Sequence, residues 1–264
     1  MLDDFIGRSP AITKLKRLLP SLSQRSSPLI IIGKAGVGKH LFASHIHALS
    51  GYQATPPEIL NFSLLSDRDQ RISLFGGGPP DLTTTRRSIL ENSTTVILKY
   101  INHACRYYQD QLADSLKRQL VVRAGTNEEH PINCRVIFTL PESPSSFIRD
   151  STLSPQLGDY LDSYKKIFIP SLSKRLEDIP VLIEYFCRCY REKYSGSHIS
   201  SQIDINLLQQ HRWTENIREL KAFIRGQILL DTQSEIICTE KIEIMKMLNM
   251  LEEGSEFSLP NTLD

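Results

Sequence analysis

The strongest constraint on this chain is a strand-like run, Pro28-Leu29-Ile30-Ile31-Ile32. It passes directly into Gly33-Lys34-Ala35-Gly36-Val37-Gly38-Lys39-His40 and then into an apolar-periodic segment from Leu41 to Leu49. A buried strand, a glycine-rich turn and a helix start together form a phosphate cradle. Glycines let consecutive backbone N–H groups converge on phosphate oxygens, the helix start adds partial positive charge, and Lys39 supplies a mobile cation. The spacing Gly33-x4-Gly38-Lys39 is that of a P-loop. His40 stands where a Ser or Thr would offer a hydroxyl to Mg²⁺.

The 264 residues suffice for one large domain or two small ones. With 31 basic and 30 acidic residues the formal net charge is +1, so no global field directs the chain to nucleic acid or to a membrane. The longest apolar run, residues 28–32, is far too short to span a bilayer, and Met1-Leu2-Asp3-Asp4 lacks the basic and apolar regions of a secretion signal. A cytoplasmic protein is expected. The five cysteines (Cys105, Cys134, Cys187, Cys189, Cys238) are odd in number and form no C-x2-C pair, which suits inert, reduced thiols better than a disulfide or zinc framework. His40 and His47 share a face of one helix, but two imidazoles seven residues apart without a carboxylate are poor metal ligands. The pairs Arg86-Arg87 and Lys165-Lys166 read as solvated surface charge.

Around the P-loop the pattern alternates. Ile12, Leu15, Leu18 and Leu19 mark a helix over residues 11–19, introduced by Ser9-Pro10. Residues 58–62, 93–98, 134–139 and 166–169 read as further strands, and a helical period runs over 109–122 through Leu112, Leu116 and Leu120. Gly76 to Pro80 is a loop. Strands alternating with helices predict an α/β fold, a parallel sheet with helices on both faces. After Pro170 only helical periods remain, over 177–194, 203–211 and 216–229, which predicts a small all-helical domain. The expected organisation is an α/β domain over 1–172, a helical lid over 173–240, and over 241–264 a helix end followed by a tail. From Glu252 onward that tail has no Lys or Arg and is expected to be disordered.

Several stretches in order resemble the AAA+ domain of sigma-54-dependent bacterial transcription activators. They are Ile6-Gly7-Arg8-Ser9-Pro10-Ala11, the P-loop, Asn61 after a strand, Leu74-Phe75-Gly76, Arg135-Val136-Ile137, Leu176-Glu177-Asp178-Ile179-Pro180, and Trp213-Thr214-Glu215-Asn216-Ile217-Arg218-Glu219-Leu220. The resemblance implies a P-loop NTPase fold with a helical lid and, in the family, a ring-forming ATPase that remodels RNA polymerase. It makes Gly33, Lys34, Ala35, Gly36, Val37, Gly38, Lys39 and His40 the nucleotide-binding loop. By the same resemblance Arg218 becomes the lid arginine that senses nucleotide, and Asn61 the residue that restrains a catalytic Glu.

The departures fall on the chemistry. In the family the second catalytic strand ends in Asp-Glu, one to hold Mg²⁺ and one to activate water; this chain reads Thr95-Val96-Ile97-Leu98-Lys99-Tyr100. Losing a general base alone costs about 10²- to 10⁴-fold. No Arg occurs between Asp150 and Lys174, where the family places its trans-acting arginines, worth about 10³- to 10⁵-fold. The family's polar sensor residue falls at Leu140 or Pro141, with Thr139 the nearest substitute, and a shorter stretch, Gly76 through Ser88, stands where the family carries its polymerase-gripping loop. The sequence holds neither a receiver domain nor, after residue 232, a helix-turn-helix, so direct DNA contact is not expected. The expectation is therefore a degenerate AAA+ module that binds ATP or ADP, with no clear place for Mg²⁺, and does not hydrolyse it productively. It would act in transcription regulation through assembly with itself or docking on another regulator. Two alternatives stay open: an active ATPase activator, in which Asp81 or Glu91 folds back toward Lys39, and a nucleotide-free interaction scaffold.

Overall fold

The computed structural model describes residues 5–77, 87–92, 94–125, 127–193 and 205–229. The expectations for the loop after Gly77, Asp81, Arg86, Cys238 and the tail fall outside these residues. In chain order the elements are α1 (Pro10–Ser23), β1 (Leu29–Ile32), α2 (Lys39–Ala48), β2 (Glu58–Asn61), α3 (Asp67–Phe75), β3 (Thr95–Lys99), α4 (Arg106–Arg118), β4 (Leu120–Val122), β5 (Glu129–Pro131), β6 (Arg135–Leu140), α5 (Pro144–Arg149), α6 (Pro155–Asp162), β7 (Lys166–Phe168), α7 (Ile179–Lys193), α8 (Ile205–Gln210) and α9 (Asn216–Leu229).

Five strands form one parallel sheet in the order β2-β3-β6-β1-β7. Strands β1 and β6, and β3 up to its last residue, are buried throughout. A parallel sheet covered on both faces needs such continuous apolar runs, and Leu29 to Ile32, Thr95 to Leu98 and Val136 to Leu140 supply them. The α/β fold expected from the alternating pattern is therefore the one observed, and its main core joins the sheet to α3, α4 and α6 through Leu74, Phe75, Leu112, Leu116, Leu157 and Leu161. No helix of the described residues is long and apolar enough to cross a membrane.

Two local expectations are corrected. The helix over 109–122 starts earlier, at Arg106, and stops at Arg118, because Gln119 takes a left-handed conformation (φ 57°). The residues beyond it, Leu120-Val121-Val122, pair antiparallel with β5, since β-branched side chains favour a pleated ribbon over another helical turn. Conversely, α1 continues past Leu19 and through Pro20 to Ser23. Its end is secured by the buried Arg135 guanidinium, which donates to the Leu22 carbonyl at 2.7 Å and the Ser23 carbonyl at 3.4 Å, the helix terminus where a cation is favoured. Three short helices, α3, α5 and α6, have no counterpart in the sequence reading. Ser66 and Ser154 cap α3 and α6, and α5 and α6 each open on a proline in the first turn.

The described residues divide into two compact units: Phe5 with those of Thr13–Pro170, and Ile6–Ile12 with those from Ser171 to Leu229. The second is helical, with α7, α8 and α9 packed around Trp213, Leu208, Leu182, Phe186 and Phe223. Two of the motifs meet within it. Asp178 is fully buried and accepts hydrogen bonds from the Arg8 N–H (2.6 Å), the Ser9 N–H (2.7 Å) and the Ser9 hydroxyl (2.8 Å). Burial and three donors make this carboxylate the lock between the Ile6-to-Ala11 and Leu176-to-Pro180 stretches.

Candidate functional site

The P-loop is built as its residue types require. Strand β1 ends at Ile32, and the Gly33 N–H donates to the Leu140 carbonyl at 3.1 Å, tying the start of the loop to β6. A side chain at Gly33 would place its Cβ 2.6 Å from the Ile169 carbonyl oxygen, so only glycine fits beside the end of β7. Gly36 (φ 70°) and Gly38 (φ 100°) turn the chain through left-handed conformations, and Gly38 forms the N-cap of α2, with no side chain between the first helical N–H groups and a ligand. Lys39 opens α2 and curls back over the loop, donating to the Gly33 carbonyl and to the Lys34 carbonyl at 2.9 Å. The loop residues from Gly33 to His40 thus share one turn. Beneath it lies a contact that sequence reasoning missed: the buried Phe5 ring sits 5.1 Å from Phe42 and 6.4 Å from His45, and is the nearest group to a Cβ added at Gly38. The signal was an aromatic just ahead of Ile6-Gly7-Arg8.

Beside the loop the sheet presents a row of C-terminal strand ends. Asn61 of β2, Lys99 of β3, Thr139 of β6 and Ile31 of β1 are neighbours in register across four strands. Helix α2 packs on β1, β3 and β6. In an open parallel sheet this C-terminal edge is where ligands bind. Asn61 uses its carboxamide oxygen locally, accepting from the Ser63 hydroxyl at 2.8 Å and the Ser63 N–H at 3.3 Å. Tyr100, which follows Lys99, holds a left-handed conformation (φ 55°) and its N–H donates to the Thr139 carbonyl at 3.3 Å. The row itself contains no carboxylate.

The charge pattern continues into α2. Partial desolvation and, after it, the Lys99 ammonium hold the His40 imidazole below its ordinary pKa. Lys99 therefore acts electrostatically on the residue next to Lys39. Mg²⁺ takes hard oxygen ligands in a near-octahedral shell. An imidazole and an ammonium stand where the hydroxyl and carboxylate of a P-loop Mg²⁺ site belong, so these residues do not fit the ion. Among the described residues no group of three or more His, Cys, Asp or Glu side chains is placed to hold a metal.

Glu91 is committed elsewhere. It precedes β3 and so lies at the edge of the sheet opposite the P-loop, where it caps the turn at Ser88 and pairs with Arg123. An activated water held by Glu91 beside Lys39 is incompatible with that position. Arg218 lies in the second unit, on the exposed side of α9, with its guanidinium 3.3 Å from Glu215. The surrounding motif is structural: the Trp213 indole N–H donates to the Leu208 carbonyl at 2.7 Å, and the Asn216 side-chain oxygen accepts from the Leu172 N–H at 2.8 Å. Cys105, Cys134, Cys187 and Cys189 are free thiols, and burial pushes Cys134 up to about 12.

The sigma-54 interaction domain matches residues 5–165, and the AAA+ ATPase lid domain matches residues 173–246. Among curated proteins, the transcriptional activator RocR of Bacillus subtilis is 29% identical over 89% of this chain and 52% of its own length. Among solved structures, NtrX from Brucella abortus in complex with ATP superposes with a TM-score of 0.78 at 25% identity, covering 96% of this chain and 60% of that one. The same protein in complex with ADP gives a TM-score of 0.78 at 24% identity, covering 90% and 54%. This chain spans about half the length, or less, of the curated relatives it matches.

Proposed function

This chain belongs to the sigma-54 interaction domain family and carries the family's AAA+ lid, and from that premise we propose that it is a nucleotide-binding regulatory module that does not turn ATP over productively. Residues 1–172 form the nucleotide-binding part and 173–240 the lid. Gly33 to His40 receive the phosphates, with Lys39 leaving the Gly33 and Lys34 carbonyls for the ligand, and Arg218 reports occupancy from the lid. The ATP complex of NtrX, a fold neighbour with 0.78 TM-score, supports a nucleoside triphosphate or diphosphate as the ligand.

The observation that carries the reading is the row Asn61–Lys99–Thr139, which brings an ammonium and no carboxylate to the edge of the sheet beside the P-loop. Phosphoryl transfer to water is catalysed by charge neutralisation and by a positioned, activated nucleophile, and this row offers no carboxylate to activate water. Nucleotide then acts as an effector. Its occupancy sets the arrangement of the α/β unit and lid, and that arrangement controls association with a second copy or with another transcription regulator, provided the nucleotide prefers one state.

The test is a melting curve of the full chain with and without ATP or ADP, in the native protein and in Lys39→Ala, paired with a phosphate-release assay. Ligand at about 100 times its Kd adds roughly 2.7 kcal/mol and raises the melting temperature by a few degrees. The expected result is a shift in the native chain that Lys39→Ala abolishes, with phosphate release equal in the two proteins. An unshifted native chain would return the protein to an interaction scaffold, and Lys39-dependent turnover would return it to the ATPases.

A further inference from the structure

We propose that Lys99 is a built-in counter-charge for the bound phosphates, taking the place that Mg²⁺ holds in other P-loops, so that the site prefers metal-free nucleotide to its magnesium complex. The inference rests on the nucleotide-binding reading above and adds to it the ionic form of the ligand.

The placement is fixed by the sheet. Lys99 ends β3 in register with Thr139 and through it with Ile31, two residues before the P-loop begins. Neighbouring strands lie about 4.8 Å apart, so the Lys99 backbone stands about 10 Å from β1, on the side that α2 covers. A lysine carries its ammonium on a flexible four-carbon stem, well suited to reaching in from that distance. Consistent with that placement, the Lys99 charge adds to desolvation in lowering the pKa of His40 on the first turn of α2. Lys39, Lys99 and the start of α2, whose N-cap Gly38 brings no capping side chain, thus contribute positive potential to the same end of the sheet.

These groups treat the two forms of the ligand differently. Metal-free ATP brings up to four negative charges, and its terminal phosphates make charge-assisted hydrogen bonds to ammonium groups. Magnesium cancels two of those charges and places a divalent cation beside Lys99, where like charges repel and the row Asn61–Lys99–Thr139 holds no carboxylate to take the place of the water the ion would shed. Added Mg²⁺ therefore weakens binding, the reverse of what the hydroxyl and carboxylate ligands of an ordinary P-loop produce.

Isothermal titration calorimetry of the full chain with ATP, in excess chelator and in excess MgCl₂, tests this directly. Native protein is expected to bind about tenfold or more tightly in chelator, a difference of about 1.4 kcal/mol or more. Lys99→Met, which keeps the stem and removes the charge, should lose that preference, Lys99→Arg should retain it, and Lys99→Asp should bind only with Mg²⁺. Circular dichroism melts of each variant establish that it is folded, and the Arg variant keeps the comparison decisive if another fails. Tighter binding of MgATP by the native chain, or undiminished metal-free binding by Lys99→Met, overturns the role of Lys99 while leaving nucleotide binding intact. No binding of ATP in either solution overturns the nucleotide reading itself, and this proposal with it.

Discussion

Glu91 shows how a single carboxylate can be mistaken for chemistry. Its side chain is 9% exposed and receives the Arg123 Nε–H at 2.9 Å, the Arg123 Nη2–H at 2.5 Å and the Ser88 N–H at 3.0 Å, with His130 3.8 Å away. The Arg123 hydrogen bond, reinforced by Ser88 and opposed by burial, holds the Glu91 carboxyl below the usual carboxylate range. A carboxylate whose pKa is lower folded than unfolded stabilises the protein at neutral pH and loses that contribution as pH falls through the depressed value. Glu91→Gln should therefore cost about 2 kcal/mol at pH 7, since it removes the charge that pairs with the largely buried Arg123 guanidinium. The gap between the two proteins should close as the pH is lowered past the carboxylate range. Urea midpoints by circular dichroism from pH 7 down to about 2 read this out, and a gap that persists at the acid end would show that the effect is packing rather than charge. Nothing in the sequence distinguished Glu91 from a base awaiting a substrate. Its partner is 32 positions away, and only the fold puts it at the far edge of the sheet from Lys39.

Elements were legible where a local signal and the tertiary need coincided. The period over 216–229 returned as α9 with the same bounds, and the β-branched runs of β1, β3 and β6 returned as the buried centre of the sheet. The signal was insufficient where a few residues decide. Gln119 ends α4 by a backbone conformation that its type does not announce, and the helix read over 11–19 runs on through Pro20 to a turn secured by Arg135, 113 residues from Leu22. The candidate site divides the same way: glycine spacing exposes the P-loop, whereas the Lys99–His40 coupling and Phe5 beneath Gly38 arise from strand register and packing. The lid motif offers an element-scale test. Asn216 starts α9 at φ 56°, where Asn is tolerated better than most residues, and it satisfies the buried Leu172 N–H at 2.8 Å. Asn216→Ala gives up both and should destabilise the helical unit by about 2 kcal/mol. Trp213 is the sole tryptophan and sits in that unit's core, so its fluorescence isolates the unit's unfolding transition. An unchanged fluorescence midpoint in the variant would mean that α9 is positioned by Trp213 and its apolar neighbours alone.

At the scale of the whole molecule the two units supply different halves of a proposed switch, and Arg218 is the residue that separates structural from signalling roles. Its side chain is 55% exposed, and the guanidinium faces Glu215, whose side chain is 49% exposed, at 3.3 Å. Such a surface pair is worth about 0–1 kcal/mol, so Arg218→Ala should leave the ligand-free melting curve nearly where it was. A lid arginine that binds phosphate contributes far more to the liganded state, because charge-assisted contacts to an anion are among the strongest hydrogen bonds available. Saturating ATP should therefore raise the transition seen by Trp213 fluorescence in the native chain, although Trp213 belongs to the helical unit and the P-loop to the other. In Arg218→Ala that fluorescence transition should cease to follow ATP, while the circular dichroism of the sheet-bearing unit still responds to ligand on Lys39. Coupling between sites is reciprocal, so the same substitution should weaken ATP binding by the factor that ATP loses in its hold on the lid. Equal ATP-induced shifts of both transitions in the variant and the native chain would place the coupling outside Arg218. An Arg218→Ala protein that melts several degrees lower without ligand would make the residue a structural one.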